Sequence, residues 1–244
     1  MTHEEKILPT QVQEDDLRLI VEDIKYHGKT GDVLAHFARP KDDEKYPGVI
    51  VIHENRGLNP HIEDVARRVA LEGFLTLAPD ACSPLGGTPN DLDEARNRMR
   101  NLDTEDNIKN FVAAVKYLKT HPKSTGKVGV TGFCWGGGLT NQVAVNSPDV
   151  QAAVPFYGRQ ADTEDVPKIK ASMLLIYAGE DERINAKIPE YEKALKEAGI
   201  EFETHIYPGA KHGFYNDTST RYHKEASKNA WKRTIDFFNE KLKP

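Results

Sequence analysis

The sequence predicts an α/β protein: a mostly parallel central sheet with helices on both faces and an antiparallel hairpin at its N-terminal edge. Three observations carry that prediction. Strand-like and helix-like patterns alternate from residue 48 onward, as they do when parallel strands are joined by crossover helices. Gly48-Val-Ile-Val-Ile-His53 is a continuous apolar run, which suits a strand covered on both faces. Asp16 to Tyr26 and Asp32 to Arg39 each alternate apolar and polar residues around the turn-rich His27–Gly31, the pattern of a half-exposed hairpin.

The remaining elements follow in order. Ile62, Val65, Ala66, Val69 and Ala70 fall at steps of three and four and form the apolar face of a helix. Gly73 stops it, and Phe74 to Ala78 is the next strand. Pro79 to Pro89 is rich in Pro, Gly and Ser, and the stretch from Asp80 to Leu102 is read as a loop. Ile108, Phe111, Val112, Val115 and Leu118 mark a helix over 104–119. Lys127 to Thr131 is a strand and Gly136 to Asn146 a helix of small residues. Strands at Ala152 to Phe156 and Met173 to Tyr177, a helix at Ile188 to Ala198, a strand at Phe202 to Tyr207 and a long helix at Tyr222 to Leu242 complete the chain. There is no internal repeat, low-complexity tract or linker. A single domain over residues 1–244 is expected, with 1–15 an extended or poorly ordered N-terminal segment.

Composition excludes several functions. A net charge of −5 with interspersed Lys and Arg leaves no electrostatic footprint for nucleic acid. No apolar run approaches the roughly 18 residues a membrane span needs, and the first twenty residues lack the apolar core of a secretory signal. The two cysteines, Cys82 and Cys134, make no disulfide framework and fit a reducing compartment. A cytoplasmic protein with no membrane or nucleic-acid partner is expected, as monomer or homodimer. Neither H-E-x-x-H nor paired Cys/His spacing is present, so no metal and no cofactor is expected.

Gly132-Phe133-Cys134-Trp135-Gly136-Gly137-Gly138 carries the most information. It follows a buried strand, opens a helix, and has the form G-x-C-x-G-G, a cysteine version of the nucleophile elbow. Gly132 and Gly136 remove side chains where the strained strand-to-helix turn has no room. The helix N-terminus aims free N–H groups at the sulfur and favours a thiolate. Read blandly, the segment is a buried cysteine beside a packing turn. Cys82, in a Pro/Gly-rich loop, has no comparable setting.

A thiol attacking a carbonyl needs a base, and the base needs an orienting partner. In the order nucleophile, acid, histidine, three histidines follow Cys134. His205 sits inside a strand as a packed or edge residue, and His223 falls in the terminal helix, solvated. His212 lies in the turn-rich Pro208–Phe214, after the last strand, where open α/β sheets hold reactive groups. The acid should follow Met173–Ala178, where Glu180, Asp181 and Glu182 all compete on position alone.

Together these residues resemble the dienelactone hydrolase (carboxymethylenebutenolidase) family of the α/β-hydrolase superfamily. The resemblance runs from about Tyr46 to the terminal helix. Its most specific pieces are Gly132–Gly137 with the cysteine, Gly179-Glu180-Asp181, Lys211-His212-Gly213-Phe214 and His53-Glu54-Asn55-Arg56-Gly57-Leu58. It implies the α/β-hydrolase fold, a Cys134–His212–Asp181 triad, and a Glu54 that contacts the nucleophile at rest until substrate frees the thiol to pair with the histidine. Read blandly, Glu54 pairs with Arg56 or Arg67. The oxyanion hole follows from topology: the backbone N–H groups of Trp135 and Asn55. Tyr157 and Trp135 are expected to line the pocket, with Phe214, and Arg56 and Arg98 to contact substrate. One departure stands out. Family members that bind a substrate carboxylate carry an arginine shortly after the histidine, but here none occurs until Arg221.

The expected chemistry is cleavage of a small ester or lactone through a thioester on Cys134. A glyoxalase of the DJ-1 type would use Glu54 and Cys134 alone. A hydrolase-fold module sensing oxidation would use only an exposed, low-pKa Cys134.

Overall fold

The computed structural model describes residues 10–244. Eight strands form one sheet in the order β1-β2-β4-β3-β5-β6-β7-β8. They are β1 (Leu19–Gly28), β2 (Gly31–Pro40), β3 (Tyr46–Ile52), β4 (Leu75–Pro79), β5 (Ser124–Phe133), β6 (Val150–Phe156), β7 (Ser172–Ala178) and β8 (Phe202–Tyr207). The β1–β2 hairpin and the β2–β4 pair are antiparallel, and every other pair is parallel. The predicted hairpin edge and parallel centre are both present.

Seven helices connect the strands: α1 (Pro60–Leu71), α2 (Leu92–Arg100), α3 (Thr104–Thr120), α4 (Trp135–Asn146), α5 (Glu182–Asn185), α6 (Ile188–Glu197) and α7 (Lys224–Leu242). The central strands are apolar on both faces because each face has its own core. Ile50 and Ile52 of β3 pack with Phe111 of α3, Leu139 of α4 and Leu195 of α6. Val49 and Val51, one residue out of phase, pack with Val65 of α1 and Phe238 of α7. The same split recurs on β7, where Leu175 and Tyr177 face the first core and Leu174 and Ile176 the second. That is the two-residue alternation of a strand.

Helix α2 replaces most of the second half of the loop expected over 80–102. Asp91 caps it by accepting from the N–H groups of Asp93 and Glu94 at 3.0 and 2.8 Å. The terminal helix starts two residues later than expected, because His223 takes the N-cap position and accepts from Ala226 N. Part of the expectation for residues 1–15 lies outside the described residues. Within them, the Gln11 and Val12 N–H groups donate to the Asp64 carboxylate at 3.1 and 2.8 Å. The buried Arg67 donates back to Val12 O at 2.8 Å. No described helix is long and apolar enough to cross a membrane.

Candidate active site

The site lies at the carboxyl ends of β3, β5, β6, β7 and β8, built by the loops that follow them. Its centre is Cys134, between the last residue of β5 and the first of α4. Cys134 takes φ +57° and ψ −113°, a backbone conformation that a non-glycine residue adopts only where the surrounding fold enforces it. Its N–H donates to Phe156 O of β6 at 3.0 Å. The flanking glycines are required sterically. A Cβ on Gly132 would stand 2.3 Å from Gly136 O, and one on Gly136 only 2.4 Å from His53 O. The start of α4 is thereby pressed against the end of β3, bringing Glu54 and Asn55 to the elbow.

His53 fixes that second loop. It is fully buried. Its Nε2 accepts from Ala81 N at 3.1 Å, so its Nδ1–H donates to Glu54 O at 2.7 Å. Burial depresses its pKa, and the two bonds require the neutral ring. The ring stacks on Trp135, with centroids 5.4 Å apart and planes within 11°. One imidazole thus ties the loop bearing Asn55 to the helix bearing Trp135. The Asn55 N–H has no protein acceptor among the described residues. The backbone N–H of Trp135 favours the Cys134 thiolate. These are the two backbone positions expected from the sequence to face an oxyanion.

Asp181 settles the choice among three carboxylates. It is buried, and its Oδ2 lies 2.5 Å from His212 Nδ1, while its Oδ1 caps α5 through Ile184 N. Glu180 and Glu182 are exposed. His205 is on edge strand β8 beside Glu203 and Arg233.

The thiol does not behave as the helix N-terminus alone predicts. Burial and the Glu54 carboxylate push Cys134 up to about 11, against the lowering effect of the Trp135 N–H and of Arg221 and Arg183. Desolvation of the charged form outweighs the helix end. Cys134 is only partly buried and lines a cavity, not sealed in the core. Cys82 is fully buried and also raised to about 11 by burial.

Cys134, His212, Glu54, Asn55 and Trp135 line one cavity of about 850 Å³. Five arginines share it: Arg56, Arg96, Arg100, Arg183 and Arg221. Arg96 pairs with Asp93 at 3.4 Å. Among the described residues, the other four have no carboxylate within ion-pair distance. Glu54 pairs with neither Arg56 nor Arg67. Its Oε2 accepts instead from Asn216 Nδ2 at 2.7 Å.

Three expected substrate contacts are displaced. Arg98 is turned away from the cavity, donating to Leu85 O and Gly87 O at 2.9 and 2.8 Å and pairing with Glu94. Its neighbours Arg96 and Arg100, on the other side of α2, face inward. Phe214 is fully buried between Tyr157 and Tyr207. Tyr157 is also fully buried, at φ +36°. Its ring backs the His212 ring at 5.1 Å, forming a wall behind the imidazole. Burial, with Glu54 and Cys134 nearby, raises its phenol well above the ordinary value.

Sequence reasoning missed Asn216 and Arg183, and counted Arg221 as too distant. Arg183 stands two residues beyond Asp181. Asn216 opens the polar turn-rich run Asn216–Thr220 just after His212. That run folds back, closed by His223 N donating to Phe214 O at 3.0 Å. A Cβ on Gly213 would lie 3.5 Å from Arg221 Cζ, so the guanidinium rests beside the loop that carries His212. Arg221, nine positions after His212, lines the same cavity.

The model of the dienelactone hydrolase family matches residues 33–242. A protein of Salmonella typhi named "Putative carboxymethylenebutenolidase" is 31% identical, over 95% of this chain and 92% of its own length. One of the same name from Saccharolobus solfataricus is 32% identical, over 88% of this chain and 96% of its own. Among solved structures, a Klebsiella pneumoniae protein titled "Putative Dienelactone Hydrolase" superposes with a TM-score of 0.82 at 27% identity, covering 91% of this chain and 99% of its own.

Proposed function

The chain belongs to the dienelactone hydrolase family, and from that premise we propose that it hydrolyses small esters or lactones through a thioester on Cys134. One observation carries the reading. Cys134, on a strained elbow, shares a cavity with His212, whose far nitrogen lies 2.5 Å from the buried Asp181. The proposed nucleophile and base thus line one cavity, with the proposed orienter behind the base.

At rest the thiol is protonated, held so by burial and by Glu54. With an ester bound, the sulfur passes its proton to His212 and attacks the carbonyl carbon, and the N–H groups of Trp135 and Asn55 hold the oxyanion. The C–O bond breaks as His212 returns the proton to the departing alkoxide, leaving alcohol and thioester. Water, deprotonated by His212, then attacks the thioester and releases the acid and the thiol. Asp181 keeps the ring oriented throughout. Four arginines without carboxylate partners favour a substrate that carries a negative charge.

The glyoxalase and oxidation-sensor readings give the His212–Asp181 pair no task, and a thiol raised to about 11 is a poor sensor. The test is Cys134→Ala assayed on an ester panel. Hydrolysis should fall by at least about a thousandfold with the circular dichroism unchanged. Activity within a few-fold of wild type overturns the reading.

A further inference from the structure

Cys134 stands between two chambers. One is the arginine-lined cavity that holds His212 and Glu54. The other, of about 480 Å³, opens on the α3–α4 side; Met99, Leu102, Ile108, Trp135 and Leu139 form its apolar lining, and polar residues, among them Asn107, Gln142, Arg159 and Asp162, complete it. The two share Met99, Arg100, Cys134 and Trp135. Helix α2 therefore roofs both, and the sulfur lies on their common boundary.

The chemistry assigns a half of the substrate to each. His212 belongs only to the charged chamber, and the leaving oxygen must lie within hydrogen-bond reach of that imidazole to take its proton. The alcohol half therefore occupies the charged chamber. The acyl half extends from the attacked carbon in the other direction, across Trp135. There it meets the buried side chains of Met99 and Leu139 and the half-buried Leu102 and Ile108.

We infer that the second chamber is an acyl subsite, and that the enzyme takes esters with an apolar acyl arm of several carbons and an anionic alcohol half. This rests on the proposed reading of Cys134 as nucleophile. The size fits. At about 30 Å³ per heavy atom, the volume a water molecule occupies in the liquid, a six-carbon arm needs roughly 180 Å³, less than half of the chamber. A five-membered lactone ring alone would leave the chamber empty. Apolar burial of the arm against Leu102, Ile108 and Leu139 should raise kcat/KM with each added methylene.

The test uses 4-acyloxybenzoates with acetyl, butyryl and hexanoyl arms, on wild type, Cys134→Ala, Ile108→Trp and Leu102→Trp. The ratio of kcat/KM between hexanoyl and acetyl esters should be at least tenfold in wild type, at about two- to fourfold per methylene. It should collapse toward one in Ile108→Trp or Leu102→Trp, whose indoles fill the chamber. Two substitutions are used so that one misfolded variant does not remove the test. If wild type cleaves the acetyl ester through Cys134 but the ratio is flat, the acyl subsite is wrong while the thioester reading stands. A steep ratio that neither Trp variant alters also overturns the subsite. If wild type cleaves none of the esters, or Cys134→Ala cleaves them as well as wild type does, the thioester reading fails and the subsite falls with it.

Discussion

Asn216 donates its side-chain amide to the Glu54 carboxylate at 2.7 Å, joining the loop after His212 to the loop after β3 across 162 residues. The amide oxygen is itself engaged, accepting from Thr218 N at 3.0 Å and Thr218 Oγ1 at 2.6 Å. Asn216 is thus fixed at both ends. It holds a carboxylate that lies close enough to the Cys134 sulfur to help raise its pKa.

Removing that donor frees Glu54. Asn216→Ala should lower kcat/KM for ester hydrolysis by about ten- to a hundredfold, the range for losing a hydrogen bond to a charged group. Asn216→Asp should do worse near neutral pH, because two carboxylates would face each other at the same distance and one would stay protonated well above its usual range. Its pH–rate profile should therefore gain an ionisation absent from wild type. Profiles that superpose would contradict a positioning role for Asn216.

The proposed role of Glu54 is to help hold the resting thiol protonated, and the sign of its effect follows from charge. A carboxylate near sulfur disfavours thiolate, so the neutral Glu54→Gln should lower the Cys134 pKa from about 11. A larger thiolate fraction then exists at pH 8, and iodoacetamide should alkylate Cys134 severalfold faster than in wild type. Peptide mapping separates this from Cys82, which is fully buried. Unchanged or slower alkylation would mean that Glu54 does not restrain the sulfur. Turnover should nevertheless fall, since the same carboxylate orders the site.

Arg221 lines the cavity without a carboxylate partner among the described residues, and its proposed role is to bind substrate charge. Arg221→Ala should raise KM for 4-acetoxybenzoate about tenfold relative to the uncharged 4-acetoxybenzamide, and Arg221→Lys should recover part of the loss, because a lysine keeps the charge without the planar fork. The selectivity of wild type should also weaken with added salt, since Arg221 is exposed and exposed charges are screened. Equal effects on both esters would remove Arg221 from anion recognition.

Much of the fold was legible because its signal is periodicity. β3 is a continuous apolar run and α1 carries apolar residues at steps of three and four, the signals of a strand covered on both faces and of a helix with one buried face. Helix α2 was not, because only Leu92, Ala95 and Met99 are apolar among its nine residues. Its evidence lies in capping: Asp91 at the N-cap, Glu94 three residues on, and Arg98 and Arg100 in the last turn. Reading 80–102 as loop also hid which arginines face inward, since facing depends on helical phase. That is why Arg98 was expected where Arg96 and Arg100 stand. The order Cys134, Asp181, His212 was legible because it follows strand order. Asn216 and Arg221 depend on a loop that doubles back, and no sequence spacing encodes that return.

The most direct measurement is intact-protein mass spectrometry of the wild-type chain, quenched in acid within the first turnover of an activated ester and followed by peptide mapping. A transient mass increase equal to the acyl group, on the peptide that contains Cys134 and absent from Cys134→Ala, is the predicted result. Full turnover with no acyl adduct at any quench time, or an adduct on another side chain, would contradict catalysis through a Cys134 thioester.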